Sequence, residues 1–338
     1  MISRTWCLVT ALFIAVSVYG ENEKVVTIDG MQFESSMISN AQKATDFLHF
    51  RFGKEDSTLG GVEQDVKHLT DNVPYAFRPL KDNSVWMLDS MNEKLKHFDA
   101  KGTLLQVIPL DKVSKGNPAE IIDFSFGAMG EIYLLCPRDK KVKVIDAKGT
   151  VKTEIGGFEA PLSLGSDAKG TVVVRDLQRC LLFHPDGSPA GRIDNPNLFP
   201  VFHTDGSLLG IKGNSQMAEI FRVSLDDPTR EVGIIDIPLG IPPEKKVSFA
   251  GKEVLGVDDN GNILVELIAE DEDGVIHQDK IIKISPQGNN LGSVQILLKS
   301  RDFPCPSLPR LKTGTPDGQV MTFEATFQDY KLVTYRIP

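Results

Sequence analysis

Short apolar runs divided by tight turns are the dominant pattern of this chain. Six of the runs begin at a turn: NSVWML (83–88), GEIYLL (130–135), GTVVVR (170–175), GSLLGI (206–211), GNILVE (261–266) and GQVMTF (318–323). Their starts lie 47, 40, 36, 55 and 57 residues apart, and insertions account for the scatter. Most are introduced by KDN, GAMG, DAKG, TDG, DDNG or PDG. Asp-Gly and Asn-Gly steps supply the positive φ that a tight hairpin needs, so each marks a strand–turn–strand junction. A further apolar strand follows each run after a short polar loop: KLKHF, KVKVI, CLLFH, EIFRVS, KIIKIS and KLVTYRI. The tetrapeptide DAKG occurs at 99–102, 146–149 and 167–170. The first two copies leave the third strand of consecutive units, while the last sits in a different hairpin. It therefore reads as turn chemistry, with Asp opening the turn, Gly taking the left-handed position and Lys facing water.

The runs VWML, IYLL, VVV and ILV are apolar on consecutive residues, as a strand is when both its faces are covered. The strands after them alternate, with Lys94 and Lys96 set against Leu95 and His97, and Lys141 and Lys143 against Val142 and Val144. That alternation places these lysines on a solvated side. Buried strands followed by amphipathic ones, repeated about every 40 residues, describe stacked blades around an axis. The fold expected is all-β, a six-bladed β-propeller over residues 46–338. Its last unit offers only three strands: PRLKTG (309–314), QVMTFEAT (319–326) and YKLVTYRIP (330–338). The lone alternating segment DFLHFRFG (46–53) is expected to supply the fourth, outer strand, because a raw sheet edge invites aggregation.

Residues 1–20, MISRTWCLVTALFIAVSVYG, place Arg4 before an apolar run and small residues near Gly20. This is the layout of a secretory signal peptide, too short for a membrane span, so a secreted or periplasmic protein is expected, without a transmembrane segment after its removal. Residues 21–45 form an N-terminal extension that wraps the surface or is partly disordered. The formal charge of −9 becomes −10 without Arg4, and no basic stripe is present, which argues against a nucleic-acid partner. Beyond the leader lie Cys136, Cys180 and Cys305, an odd number that permits one disulfide, with a Cys136–Cys180 pair left open.

The segment PYAFRPLKDNSVWMLDSMNEKLKHFDAKG (74–102) resembles an NHL repeat, through Pro74, Asn83, Asp89, Asn92, Lys94, Asp99 and Gly102. Residues 130–149 and 170–187 are weaker copies; Cys136-Pro137 replaces the Asp in one, and Asp176 and Arg179 keep part of the pattern in the other. The resemblance implies a six-bladed propeller of the NHL-repeat or TolB-like type, a fold that hosts binding proteins, lactonases and lyases alike. Amidating lyases of this type hold zinc through channel histidines. Of His49, His68, His97, His184, His203 and His277, only His203, read as starting an inner strand, suits that role. Lactonase-type propellers set a Glu, two Asn and an Asp around one ion; Glu266, Asn214, Asp123 and Glu324 match the residue types without matching a spacing. The acidic run Glu270–Gly274 misses the calcium-loop spacing and reads as a solvated tip.

Ligands of propellers meet loops at the channel mouth. The expected mouth residues are Arg78, Asp89, Asn92, Asp123, Arg138, Arg175, His203, Asn214, Glu266 and Glu324. No catalytic set emerges and no cofactor is expected. The leading expectation is an exported, non-catalytic propeller that binds a protein or a small polar ligand. The alternative is a metal-assisted hydrolase or lyase using Ca²⁺ or Zn²⁺ in the channel, with His203, Asp123, Glu266 or Arg78.

Overall fold

A computed structural model describes residues 25–28, 31–39, 42–61, 74, 76–116, 120–214, 216–241, 245–296, 312–325 and 329–337. The leader, His68 and Cys305 therefore lie outside the described residues. The first described elements are a ribbon of β1 (Val25–Ile28) and β2 (Met31–Glu34), the short helix α1 (Ser35–Ser39) and strand β3 (Thr45–Arg51). Blade 1 then comprises β4 (Phe77–Pro79), β5 (Val85–Asp89), β6 (Lys94–Phe98) and β7 (Leu104–Pro109). Blade 2 comprises β8 (Asp123–Phe126), β9 (Ile132–Cys136), β10 (Lys141–Ile145) and β11 (Val151–Ile155). Blade 3 follows with β12 (Pro161–Ser166), β13 (Val172–Asp176), β14 (Arg179–Phe183) and β15 (Pro189–Ile193). Blade 4 has β16 (Leu198–Phe202), β17 (Leu208–Gly213), β18 (Met217–Val223) and β19 (Glu231–Pro238). Blade 5 has β20 (Val247–Val257), β21 (Ile263–Asp271), β22 (Val275–Ile284) and β23 (Asn290–Val294). Blade 6 has β24 (Lys312–Gly314), β25 (Val320–Ala325) and β26 (Asp329–Tyr335).

The first strands of blades 2 to 6 touch one another in order, so they form the innermost layer of a ring. Apolar clusters fill the spaces between the blades. One joins Tyr133 and Leu135 of blade 2 to Val172 and Val174 of blade 3, and another joins Val173 of blade 3 to Leu208 and Phe221 of blade 4. Ring closure is aromatic. Phe77 of blade 1 meets Phe323 of blade 6 edge-on at 6.4 Å, and Phe50 of β3 lies 4.6 Å from Phe98. The structure is a six-bladed β-propeller.

The repeated turns behave alike. Between the first and second strand of each blade, one amide donates to the carbonyl four residues ahead: Leu80 to Ser84, Gly127 to Glu131, Asp167 to Thr171, His203 to Ser207, Asp258 to Asn262 and Thr315 to Gln319. All three DAKG turns share one geometry. Oδ1 of Asp99, Asp146 and Asp167 accepts the amides two and four residues on, at 2.7–3.0 Å. The glycine of each has φ between 76° and 87°, a region costly for any side chain.

Strand β3 completes blade 6 by pairing antiparallel to β26, with Leu48 opposite Leu332 and Phe50 opposite Tyr330. The expected closing strand is thus present. Before it in the chain, β2 pairs in parallel with the start of β22, and its Glu34 accepts from Lys245 Nζ at 2.7 Å. Both nitrogens of His277 face carboxylates, Nδ1 that of Glu34 and Nε2 that of Asp271, the latter at 2.6 Å. So Asp271, in the expected solvated tip, ties blade 5 to the ribbon. The strands β20, β21 and β22 run 11, 9 and 10 residues. Among the described residues no strand of another blade exceeds the 8 residues of β19, so blade 5 is the tallest of the six.

One expectation is overturned. Lys96 and Lys143 do not face water but are buried against the segments that link consecutive blades. Lys96 Nζ sits 2.7 Å from Asp89 Oδ2 and donates to the carbonyls of Thr58 and Glu55; Lys143 meets Asp139 at 2.7 Å and the carbonyl of Val113. Alternation identifies two faces of a strand, but in a stacked blade both are covered. Lysines there are held only by paired charges.

Leu48 is 5% exposed and packs where the two ends of the chain meet. Leu48→Ala should cost about 2–5 kcal/mol in denaturant unfolding. A loss under about 0.5 kcal/mol would show that this strand does not hold the ring.

Candidate functional site

The turns between second and third strands share one face with the segments that enter the innermost strands. On this face, the mouth of the channel, the six blades are not equivalent. Innermost strands β4, β8 and β24 pair in unbroken register with their neighbours. Strands β12, β16 and β20 each carry a register shift. Bulges of this kind re-aim side chains and concentrate beside functional sites. The bulge in β16 approaches so closely that a Cβ on Gly165 would lie 2.0 Å from the Pro200 carbonyl oxygen, so only glycine fits there.

In the regular half, charge is neutralised. Arg78 pairs with Asp123, which is 1% exposed, and lies 5.0 Å from the centre of the Phe124 ring. The other Asp123 oxygen accepts the Leu164 amide at 3.1 Å, which ties the innermost strands of blades 1, 2 and 3 together. Lys312, buried at the start of β24, pairs with Glu266, and Oδ1 of the buried Asp279 lies 3.7 Å from its ammonium. Burial works against the Lys312 charge, but Asp279 and Glu266 hold its pKa above the usual lysine range. Burial, reinforced by Glu266, pushes Asp279 well above the usual carboxylate range. One ammonium between two buried carboxylates leaves one of them to carry a proton.

The bulged half is different. Arg175, on β13, donates from Nη2 to the Pro196 carbonyl at 3.1 Å and lies 4.5 Å over the Phe199 ring. Its Nε is buried without a hydrogen-bond partner. Lys252, on β20, approaches from the other side and donates to Asn197 Oδ1 at 2.9 Å. Its ammonium lies 5.7 Å from the Phe249 ring, which packs over Gly213. Burial lowers the pKa of both cations, and the Arg175 charge depresses Lys252 further. Glu253 is near enough to oppose the shift at Arg175. Among the described residues, neither cation has a carboxylate at ion-pair distance. Two half-buried cations converging on Asn197 and Phe199 cost the fold stability. Together they offer an anionic oxygen two charged donors in a partly dry setting.

Several expected mouth residues have other partners. Asp89 and Asn92 form a tether: Asp89 Oδ1 accepts the Gly60 amide at 2.9 Å, and Asn92 Nδ2 donates to Asp89 and to the Gly53 carbonyl. Asp176 does the same in blade 3 by accepting the amides of Glu159 and Ala160. Arg138 is exposed in the turn after β9, and Asn214 caps its own turn by accepting the amides of Gln216 and Met217. Glu324 lies half-buried on β25, opposite Lys331. His203 does not start an inner strand. It follows β16 in the turn on the opposite face, where Nδ1 meets Asp205 at 3.1 Å and Nε2 is buried without a partner. Histidine after an apolar run fits either end of a strand, and the turn bond from the His203 amide to the Ser207 carbonyl decides which. Among the described residues, no three His, Cys, Asp or Glu side chains converge as one ion would require. Cys136 and Cys180 are unpaired and buried, and burial pushes both thiols up to about 12.

The expected set therefore contains Arg175 but lacks Lys252, Asn197 and Phe249. The one sequence signal for them is Lys252-Glu253 inside the otherwise apolar stretch that enters blade 5, a charged pair where a strand buried on both faces excludes one.

No family model matches the chain, and no curated protein matches it in sequence. Solved structures similar to it include virginiamycin B lyase from Staphylococcus aureus, at 13% identity, 86% of this chain, 99% of that one and a TM-score of 0.46. A gluconolactonase from Xanthomonas campestris is similar at 13% identity, 97% and 99% coverage and a TM-score of 0.47. Kuenenia stuttgartiensis hydrazine synthase is similar at 12% identity, 73% and 72% coverage and a TM-score of 0.48. Likeness at this level says nothing about activity.

Asp279 makes the fold sensitive to pH. Below about pH 4 it is protonated in folded and unfolded chains alike and contributes no pH dependence. Above that, the unfolded chain releases the proton while the fold retains it, so stability falls as pH rises towards the raised folded value. Asp279→Asn removes this slope. Melting curves from about pH 5 to about pH 8 should show the wild type losing stability relative to the variant; parallel curves would refute the buried proton.

Proposed function

We propose that this protein is a ligand-binding propeller of the NHL-repeat type, exported from the cytoplasm, which holds a small anionic ligand at the channel mouth without transforming it. The observation that carries the reading is the convergence of Arg175 and Lys252 on blade 4 without a carboxylate partner. Leader-like residues 1–20 support export, and the Asp89, Asn92 and Asp99 pattern supports the repeat type. Among the described residues no helix is long and apolar enough to cross a membrane.

The alternative, a hydrolase or lyase assisted by Ca²⁺ or Zn²⁺, agrees with the names of two of the solved structures, but that likeness is too distant to bear weight. The geometry supports it less. Asp123 is engaged with Arg78 and the Leu164 amide, Glu266 with Lys312, and His203 faces away from the mouth.

The test is calorimetric titration of acetate and inorganic phosphate at low salt, with and without chelator. Anion binding should occur in both conditions, weaken with added salt, and fall at least about tenfold in Arg175→Met, the scale of one charge-assisted bond. Binding that is unchanged in the variant, or that needs a metal ion, would overturn the proposal.

A further inference from the structure

We infer that the ligand of this mouth is an organic anion with an apolar body, a carboxylate carried on a hydrocarbon chain or ring, and not an inorganic oxyanion. The inference rests on the reading of Arg175 and Lys252 as the charge-binding pair and adds what surrounds them.

The bulge in β12 falls at Leu162. Pro161 pairs with Asp176 and Ser163 with Arg175, so Leu162 opposes no residue. It is 37% exposed, while Pro161 and Ser163 on either side are buried. On an innermost strand bonded to β13 along its outer edge and flanked by neighbouring blades, the open side is the channel. The bulge thus delivers an aliphatic side chain to the channel wall one residue from the cross-strand partner of Arg175. Across blade 4, the long strand β20 brings the half-buried Phe249 beside Lys252, next to a second bulge between Phe249 and Gly251. Above both, where β18 begins, Met217 is 40% exposed. Exposed large apolar side chains are few among the described residues, and scattered ones need no explanation. Leu162 lies one residue from the cross-strand partner of Arg175, and the Met217 backbone meets Gly213 beside the Phe249 ring that flanks Lys252. Water keeps its hydrogen bonds poorly at such a wall, so a ligand that covers it gains from apolar burial while its charged end meets Arg175 and Lys252. A phosphate ion would use the cations and leave the wall wet.

The experiment is a calorimetric series of straight-chain monocarboxylates from acetate to octanoate, with inorganic phosphate for comparison. Wild-type affinity should rise about three- to fourfold per added methylene until the wall is covered. Leu162→Asn, at an exposed position where folding is unthreatened, should flatten the series and leave acetate affinity within about twofold. Met217→Asn should flatten only its longer end. A series that is flat in the wild type, or equally steep in Leu162→Asn, would overturn the inference while leaving the charge-binding pair intact. Phosphate binding tighter than octanoate would also overturn it. If neither acetate nor phosphate binds, the charge-binding pair itself fails, and the inference fails with it.

Discussion

A ring of sheets stacked face to face can close only if its last blade is complete, and here that blade draws on both ends of the chain. Lys331 and Asp46, 285 residues apart in sequence, lie 3.2 Å apart across the β3–β26 pair. Until those strands meet, β26 has an open edge and the surface of Phe77 facing blade 6 is bare. Neighbouring blades can each form from local hairpins, so their contacts need little loop closure. The final pairing closes the longest loop in the fold and so carries the largest closure entropy.

Once closed, the ring converts each strand into an interface with two covered sides. Polar groups caught inside must be matched, and the chain does this with a recurring device. An Asp at the end of the second strand accepts the amides of the segment entering its blade, as Asp89 does for Gly60 and Asp176 for Glu159 and Ala160. Buried lysines are similarly paired, Lys96 with Asp89 and Lys143 with Asp139. The physical role of Asp89 and Asn92 here is therefore to anchor loops. The contrast with Arg175 and Lys252 gains its meaning from that background. Among the described residues the fully buried lysines are paired with carboxylates, whereas the half-buried Arg175 and Lys252 meet neutral acceptors beside three bulged strands, an arrangement that costs stability.

Much of the architecture was legible in the chain because it depends on local chemistry. The Asp, Asn and Gly residues of the turns act over four residues, and the same hydrogen bond recurs in all six blades. The count of blades, the third-strand position of DAKG at 99–102 and 146–149, and the need for a closing strand near residue 46 all follow from such short-range rules and from the deficit of one strand at the far end. The free, buried state of Cys136 and Cys180 agrees with the apolar runs that contain them.

Tertiary structure decided the rest. Alternation along β6 and β10 cannot say that Lys96 and Lys143 are buried, because segments distant in sequence, at Glu55, Thr58 and Val113, cover the face that would otherwise meet water. The direction of His203 depends on which end of β16 it occupies, and that is settled by one backbone bond to Ser207. Leu162 and Phe249 lie beside register shifts, and a single inserted residue reverses which side of a strand every later side chain takes. Period-two reading loses phase at such a point. Arg175 and Lys252 come from blades separated by a third, and their meeting reflects the angle at which three sheets converge on an axis, a quantity that no local pattern of residues contains.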